Sequence, residues 1–218
     1  MRFGVFGIVG AAAGVAAIPA TYHVRELNGG PPSITLRAVR SDGARISASL
    51  PRPKFAFRTL WLPALRQEIH AWDDLRLVST HYQPEPKAKK ELSSCGHKAD
   101  RGSTLVGSGT VAGLTAFRYR SEDYEYWFAP ELDCREVKMV AGSESVREVI
   151  FVKKGEPDQE LFAVPGDFRE VAPSEALKET IRRTQGRSLD PANFTDQSML
   201  KALEQMDKRY FASQQYKP

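Results

Sequence analysis

From residue 21 onward, apolar and polar positions alternate along the chain. "TYHVREL" and "SITLRAV" change character at nearly every position, and "RSDGARISASL" carries the pattern across Asp42-Gly43. Successive side chains of a strand point to opposite faces, so a period of two predicts strands with one face buried. Asp-Gly between two such runs predicts a tight hairpin, because that turn needs residues that accept positive φ. "KFAFRTLWL", "RQEIHAW" and "LRLVSTHY" follow, short and rich in aromatic and β-branched residues, divided by Pro63-Ala64 and Asp73-Asp74. They read as consecutive strands of a meander. Residues 83 to 103 collect Pro, Lys, Ser and Gly and read as a loop, after which strands resume at "STLVGSGTVAG", "LTAFRYR", "YEYWFAP", "REVKMVA" and "VREVIFVKK".

The period changes only near the end. In "PSEALKETIRRTQG", Ser174 is placed to cap, Leu177 and Ile181 share a face, and Gly186 supplies a stop. "DPANFTDQSMLKALEQMDKRYFASQQ" sets Met199, Leu203, Met206 and Tyr210 on one stripe after a proline suited to an early helical position. That stripe reads as core packed on the sheet. The expected class is α+β: a large curved antiparallel sheet, half-barrel-like, from about Thr21 to Val171, with two C-terminal helices packed on it. In domain terms, residues 1–20 form a signal peptide or N-terminal anchor, 21–173 an antiparallel β domain, and 174–218 a helical segment. A chain of 218 residues is long enough to bury one full core.

The first twenty residues, "MRFGVFGIVGAAAGVAAIPA", place one charge, Arg2, before an uncharged run that ends in small residues, which is the layout of an export signal. Cleavage fits after Ala20 or after Ala17. The run from Phe3 to Ala20 is also just long enough to span a bilayer, so an uncleaved inner-membrane anchor is the competing reading; its wealth of Gly and Ala, which transfer weakly into lipid, argues against a stable span. The mature protein is therefore expected in the periplasm or outside the cell. The formal net charge of +4 is mild and the basic residues are interspersed with acids. Lys87, Lys89 and Lys90 stand beside Pro84 and Pro86 in what reads as a solvated loop, and no nucleic-acid-binding signature accompanies them. A peripheral contact with an anionic membrane fits that charge weakly.

Two cysteines in an exported chain meet an oxidising compartment, so Cys95 and Cys134 are expected to pair. A Cys95–His97 nucleophile is the alternative, but residues this close in sequence seldom orient thiol and imidazole for proton transfer. His23, His70, His81 and His97 show no i, i+4 ligand spacing and read as isolated side chains, so no metal and no cofactor is expected. "VGSGTVAG" has the glycines of a dinucleotide loop, yet a strand pattern follows where a helix is needed, so a turn and bulge is the better reading. Glu122-Asp123 and Glu156 with Asp158 fall in expected turns. With no nucleophile–base pair and no metal set, the chain does not read as an enzyme.

The order "GTVAGLTAFRY", "YEYWFAPELDC", a strand pair, "GEPDQELFAVPGDF" and "PSE" resembles a group of bacterial envelope proteins and, more remotely, the lipoprotein-carrier superfamily with its LolA-like and RseB-like folds. The likeness covers roughly residues 33 to 172. It implies an open, curved sheet whose concave apolar side holds a lipid or a lipid-modified partner under a helical lid. In that superfamily the helices come earlier and between strands, whereas here they come last. Alternation sends Tyr124, Tyr126 and Phe128 to one face and Trp127 to the other, and these four are the expected ligand-binding residues. The expected function is a non-catalytic envelope protein that binds a lipid or lipidated partner; the alternative is a protein-interaction or sensing module of the envelope.

Overall fold

The computed structural model describes residues 17–27, 30–50, 57–84, 95 and 102–217. Most of the proposed N-terminal signal, the lysine-rich stretch from 87 to 90, and His97 lie outside these residues. The strands are β1 (Ala20–Glu26), β2 (Ser33–Val39), β3 (Arg45–Leu50), β4 (Phe57–Leu62), β5 (Gln67–Trp72), β6 (Leu77–Tyr82), β7 (Thr104–Val111), β8 (Leu114–Arg120), β9 (Tyr124–Ala129), β10 (Arg135–Ala141), β11 (Glu144–Lys154) and β12 (Arg169–Glu170), followed by α1 (Pro173–Gln185) and α2 (Phe194–Gln214).

All twelve strands belong to one sheet, in the order β12-β6-β5-β4-β3-β2-β1-β11-β10-β9-β8-β7. Two antiparallel meanders, β1–β6 and β7–β11, are joined where β1 pairs with β11. Only the short β12 runs parallel to its neighbour, β6. The fold is α+β with a large curved sheet, as the alternation predicts. Curvature comes from irregularities in the ladder at His23/Val24, Met139/Val140, Glu136/Lys138 and Leu105/Gly107, where an extra residue bends a strand. Gly107 sits at the last of these with φ 148, a value only glycine adopts readily. The bend is strong enough that β7 touches β11, four places away in the sheet.

The hairpin turns explain the registers. Gly43 (φ 83) closes β2–β3, the Asp-Gly turn expected there. β4–β5, β5–β6 and β9–β10 share one turn: a single 3-10 turn (Pro63–Leu65, Asp73–Leu75, Pro130–Leu132) closed by a left-handed residue, Arg66, Arg76 or Asp133.

Across β2 to β5 the pairing Ala38↔Ile46↔Leu60↔Ile69 lays a buried apolar row on one face. The segment after β11 covers that row with Phe162, and with Leu161, Val164 and Phe168 at its margins. A second core gathers Val24, Val39, Leu114, Leu132, Val137 and Val149 where the two meanders meet. The helices pack near β6 on the opposite face, where Trp72 and Leu77 meet Val171 and Ala176.

Both helix starts differ from expectation. α1 is capped by Ala172 with Pro173 in the first turn; Ser174 lies inside the helix and its hydroxyl donates to Asp207 of α2 at 2.6 Å. α2 begins at Phe194, after the proline at 191, because Asn193 Oδ1 accepts from the backbone N–H groups of Thr195 and Asp196. Of the α2 stripe, Leu203 and Tyr210 are buried, Met206 is half-buried and Met199 is exposed.

Candidate functional site

Strand register places one set of side chains along the face opposite the Phe162-covered row. Tyr22 pairs with Arg37, Arg37 with Ser47, Ser47 with Thr59 and Thr59 with His70. One pleat over, Arg45 pairs with Trp61, Trp61 with Glu68 and Glu68 with His81. Phe57 and Trp72 close the same face, paired with each other at the β4–β5 end. Of these residues Phe57, Glu68, His70, Trp72 and His81 form the floor of a groove of about 940 Å³, walled on the far side by Leu177 and Thr180 of α1 and by Met206 and Ala212 of α2.

Rings line this floor edge to edge. Phe57 lies 5.2 Å from Trp72 and 5.6 Å from His70, His70 lies 5.2 Å from His81, and His81 meets Tyr210 of α2 at 5.4 Å. The polar tips are satisfied at one side of the groove. His70 Nε2 is 3.2 Å from Glu68 Oε1, a contact that holds the Glu68 carboxyl below its usual range. Glu170 of β12 accepts from the Thr80 backbone N–H and hydroxyl, and from the Tyr210 hydroxyl at 3.2 Å. Burial, with the Glu170 charge beside it, pushes the Tyr210 phenol up to about 12. Burial and the neighbouring His70 push His81 down, against the pull of Glu68 and Glu170. A neutral phenol and an imidazole that resists protonation add no charge of their own beside Glu68 and Arg209, so the groove offers apolar surface with a few fixed polar handles. Among the described residues no cluster of His, Cys, Asp and Glu could hold a metal ion.

The side chains expected to bind ligand stand at the other end of the sheet. Tyr124, Tyr126 and Phe128 line up in order along one face of β9, with centroids 5.9 and 6.4 Å apart. Direct pairing links Tyr126 through Met139 and Arg147 to Glu26, which alternation puts on the same side of β1 as Tyr22, so this row shares the face of the groove. The inner rings are covered: Phe128 is buried against Tyr119 and Cys95, with Tyr126 and Cys134 beside them, while Tyr124 is exposed. Cys95 and Cys134 are joined in a disulfide with Cα atoms 5.0 Å apart. Trp127 is on the reverse face, where its Nε1–H donates to Glu125 and the cations of Arg118 and Lys138 lie 5.7 and 5.9 Å from its ring. It packs flat over Gly109, where an added Cβ would fall 2.6 Å from its Cζ3.

The groove brings together residues that sequence reading kept apart. His70 and His81 read as isolated because their spacing along the chain is not a ligand spacing. The signal lay in the hairpin: a turn centred on Asp73-Asp74 pairs Glu68 with His81 and sets His70 on the same pleat.

No family model and no curated protein matches the chain. Among solved structures it is similar to the crystal structure of MucB, with 16% identity, a TM-score of 0.41, and 72% of this chain covering 61% of that one. A crystal structure of MucB in complex with MucA(peri) gives 14% identity, a TM-score of 0.35 and coverages of 71% and 58%. The Pseudomonas aeruginosa MucA/MucB complex gives 15%, 0.35, and 72% and 59%. The chain thus spans about three fifths of the length of these structures.

Proposed function

We propose that this chain is a non-catalytic exported envelope protein that holds a hydrophobic ligand, a lipid or the lipid modification of a partner protein, in the groove between β4–β6 and the two helices. The groove itself carries the reading. Its volume of about 940 Å³ lies in the range of small-molecule sites, its floor is a rigid sheet, and Phe57, Trp72, Leu177 and Met206 supply apolar walls. Half-buried Met206 adds a side chain that adapts to irregular guests. Tyr124, with Tyr126 and Phe128 behind it, offers a further ring surface at the other end of the same face; Trp127, packed over Gly109 on the reverse face, braces the strand from behind. Export is supported by the disulfide that joins both cysteines of the chain, since such bonds persist in oxidising compartments. Among the described residues no helix is long and apolar enough to cross a membrane. Removal of a leader after Ala17 fits better than after Ala20, because Ala20 is already paired with both Val39 and Lys154.

Native mass spectrometry of protein extracted from its own envelope, with uptake of a fluorescent fatty-acid probe, tests the reading. Co-purifying lipid, or probe binding abolished by Ala212→Trp, which fills the groove from an exposed helix position, is the expected result. A bare monomer that takes up no probe overturns it.

A second reading, a protein-interaction module, has its own support in β7. It ends the sheet, Thr104 to Ser108 are all exposed, and the strand carries no charge from Thr104 to Val111. An exposed, uncharged edge of this kind accepts an added strand. Val106→Lys should abolish capture of an extended partner while leaving probe uptake intact; loss of the probe alone with full partner capture points back to the groove.

A further inference from the structure

Between the groove and the Tyr126 row, the middle of the same face is neither apolar nor neutral. Two adjoining hollows of about 360 and 250 Å³ share Tyr22, Arg37, Arg45 and Arg135. The larger also reaches Arg147, so four guanidiniums from β2 and β3 on one side of β1 and β11 and β10 on the other line the hollows around the buried ring of Tyr22.

Two of the four are neutralised by the fold. Arg37 donates to Glu26 at 2.8 Å, and Arg147 donates to Glu136 at 3.0 Å and lies 3.3 Å from Glu26. Arg45 and Arg135 form no ion pair with an acid among the described residues. Burial and the adjacent Arg135 hold the Arg45 guanidinium below its ordinary basicity, an effect that Tyr22 and Asp133 offset in part. Two like charges drawn together on a partly covered surface repel unless an anion joins them, and the planar fork of each guanidinium matches two oxygens of a phosphate or carboxylate.

We propose that Arg45 and Arg135, over the Tyr22 ring, form an oxyanion site that takes the phosphate or carboxylate group of a ligand. The site goes beyond the groove and requires no apolar tail. It nevertheless adjoins the groove directly, since Thr59 and Trp61 of the smaller hollow pair with His70 and Glu68 of the groove floor. A free oxyanion and the head of an amphiphile whose tail lies in the groove therefore present the same chemistry to it.

The test titrates the oxidised protein at low ionic strength with inorganic phosphate in one arm and dihexanoyl phosphatidic acid in the other, followed by calorimetry and by thermal unfolding. Saturable binding is expected, weakened by about tenfold in Arg45→Ala and in Arg135→Ala, weakened less in Arg45→Lys, and unchanged in Lys201→Ala, which removes a charge from the exposed side of α2. Phosphate should raise the Tm of the native protein and leave that of the Arg45→Ala,Arg135→Ala double variant where it is. That double variant should be no less stable than the native chain without anion, because it relieves a repulsion. Binding of phosphate alone assigns the site to a free oxyanion; binding of the lipid alone assigns it to a headgroup. Ala212→Trp, which abolishes probe uptake, should leave phosphate binding intact, so failure of the groove reading and failure of this site are separable. No saturable binding in either arm, or binding undiminished in both alanine variants, overturns the proposal.

Discussion

His81 shows how one side chain can make the groove wall sensitive to acid. It faces Glu68 and His70 of β5, Tyr210 of α2 and Glu170 of β12, and its pKa is lowered by burial first and His70 second. The unfolded chain therefore takes up a proton that the folded chain resists, so stability is full above the unfolded value and falls as pH drops from about 7 toward 5. Glu68, lowered by its bond to His70, adds a loss of the same sign at lower pH. Thermal unfolding across that window should show a decline that His81→Gln flattens. Tyr210 works at the other extreme: raised to about 12, its proton-bound form stabilises the fold below the phenol's ordinary range, and that stability is lost as pH rises from about 10 through 12. Tyr210→Phe should abolish the alkaline loss and cost about 1 kcal/mol at neutrality for the bond to Glu170. On the reverse face, Gly109→Ala should destabilise by about 1–3 kcal/mol, because the Trp127 ring that it would strike is pinned by Glu125 and flanked by two cations. Reading "VGSGTVAG" as turn and bulge located this glycine-rich strand. Nothing in the sequence alone could say that a tryptophan two strands away lies across it.

At the scale of elements, what was legible follows what is local. Strand periodicity located β2 and β8 at the bounds the structure gives them, and Asp42-Gly43 marked the β2–β3 turn. The two helices were legible from their periodicity and from Gly186, which closes α1 at φ 67. Their starts were not, because the choice of cap depends on tertiary partners: Asp207 claims Ser174, and Arg187 with Asp190 claims the buried carboxylate of Asp196. Asn193→Ala should cost about 1 kcal/mol of stability, measured by denaturant unfolding with an unchanged slope, since it strips the two N–H groups at the α2 start of their acceptor. β12 was invisible for another reason. It is two residues long and has no period of its own; what makes it a strand is that its backbone docks along β6.

At the scale of the whole molecule, the disulfide ties a segment between the meanders to the far hairpin. Cys95 and Cys134 are 39 residues apart, so loop-closure entropy predicts that reduction, or Cys95→Ser with Cys134→Ser, lowers stability by about 4 kcal/mol. The loss should appear as a lower denaturant midpoint and as increased accessibility of the Tyr119, Tyr126 and Phe128 rings that the bond covers. The overall class was legible because a long series of alternating runs leaves few alternatives to one extended sheet. The groove was not, since it forms where the last helices, after Pro173, return to strands that end at Tyr82, and no local pattern records that return.

The short β12 has a further effect. By occupying the outer side of β6, and by offering Glu170 to Thr80 there, it removes one of the two rims through which a sheet could lengthen. β7 keeps the other. Among the described residues that leaves one open rim, a valence of one: joining a second copy rim to rim uses up both, and the resulting pair has none left to propagate. Self-association of this protein through its sheet should therefore terminate at two copies, visible as a dimer ceiling in sedimentation equilibrium at rising concentration, and fibrils should appear only when β12 is detached.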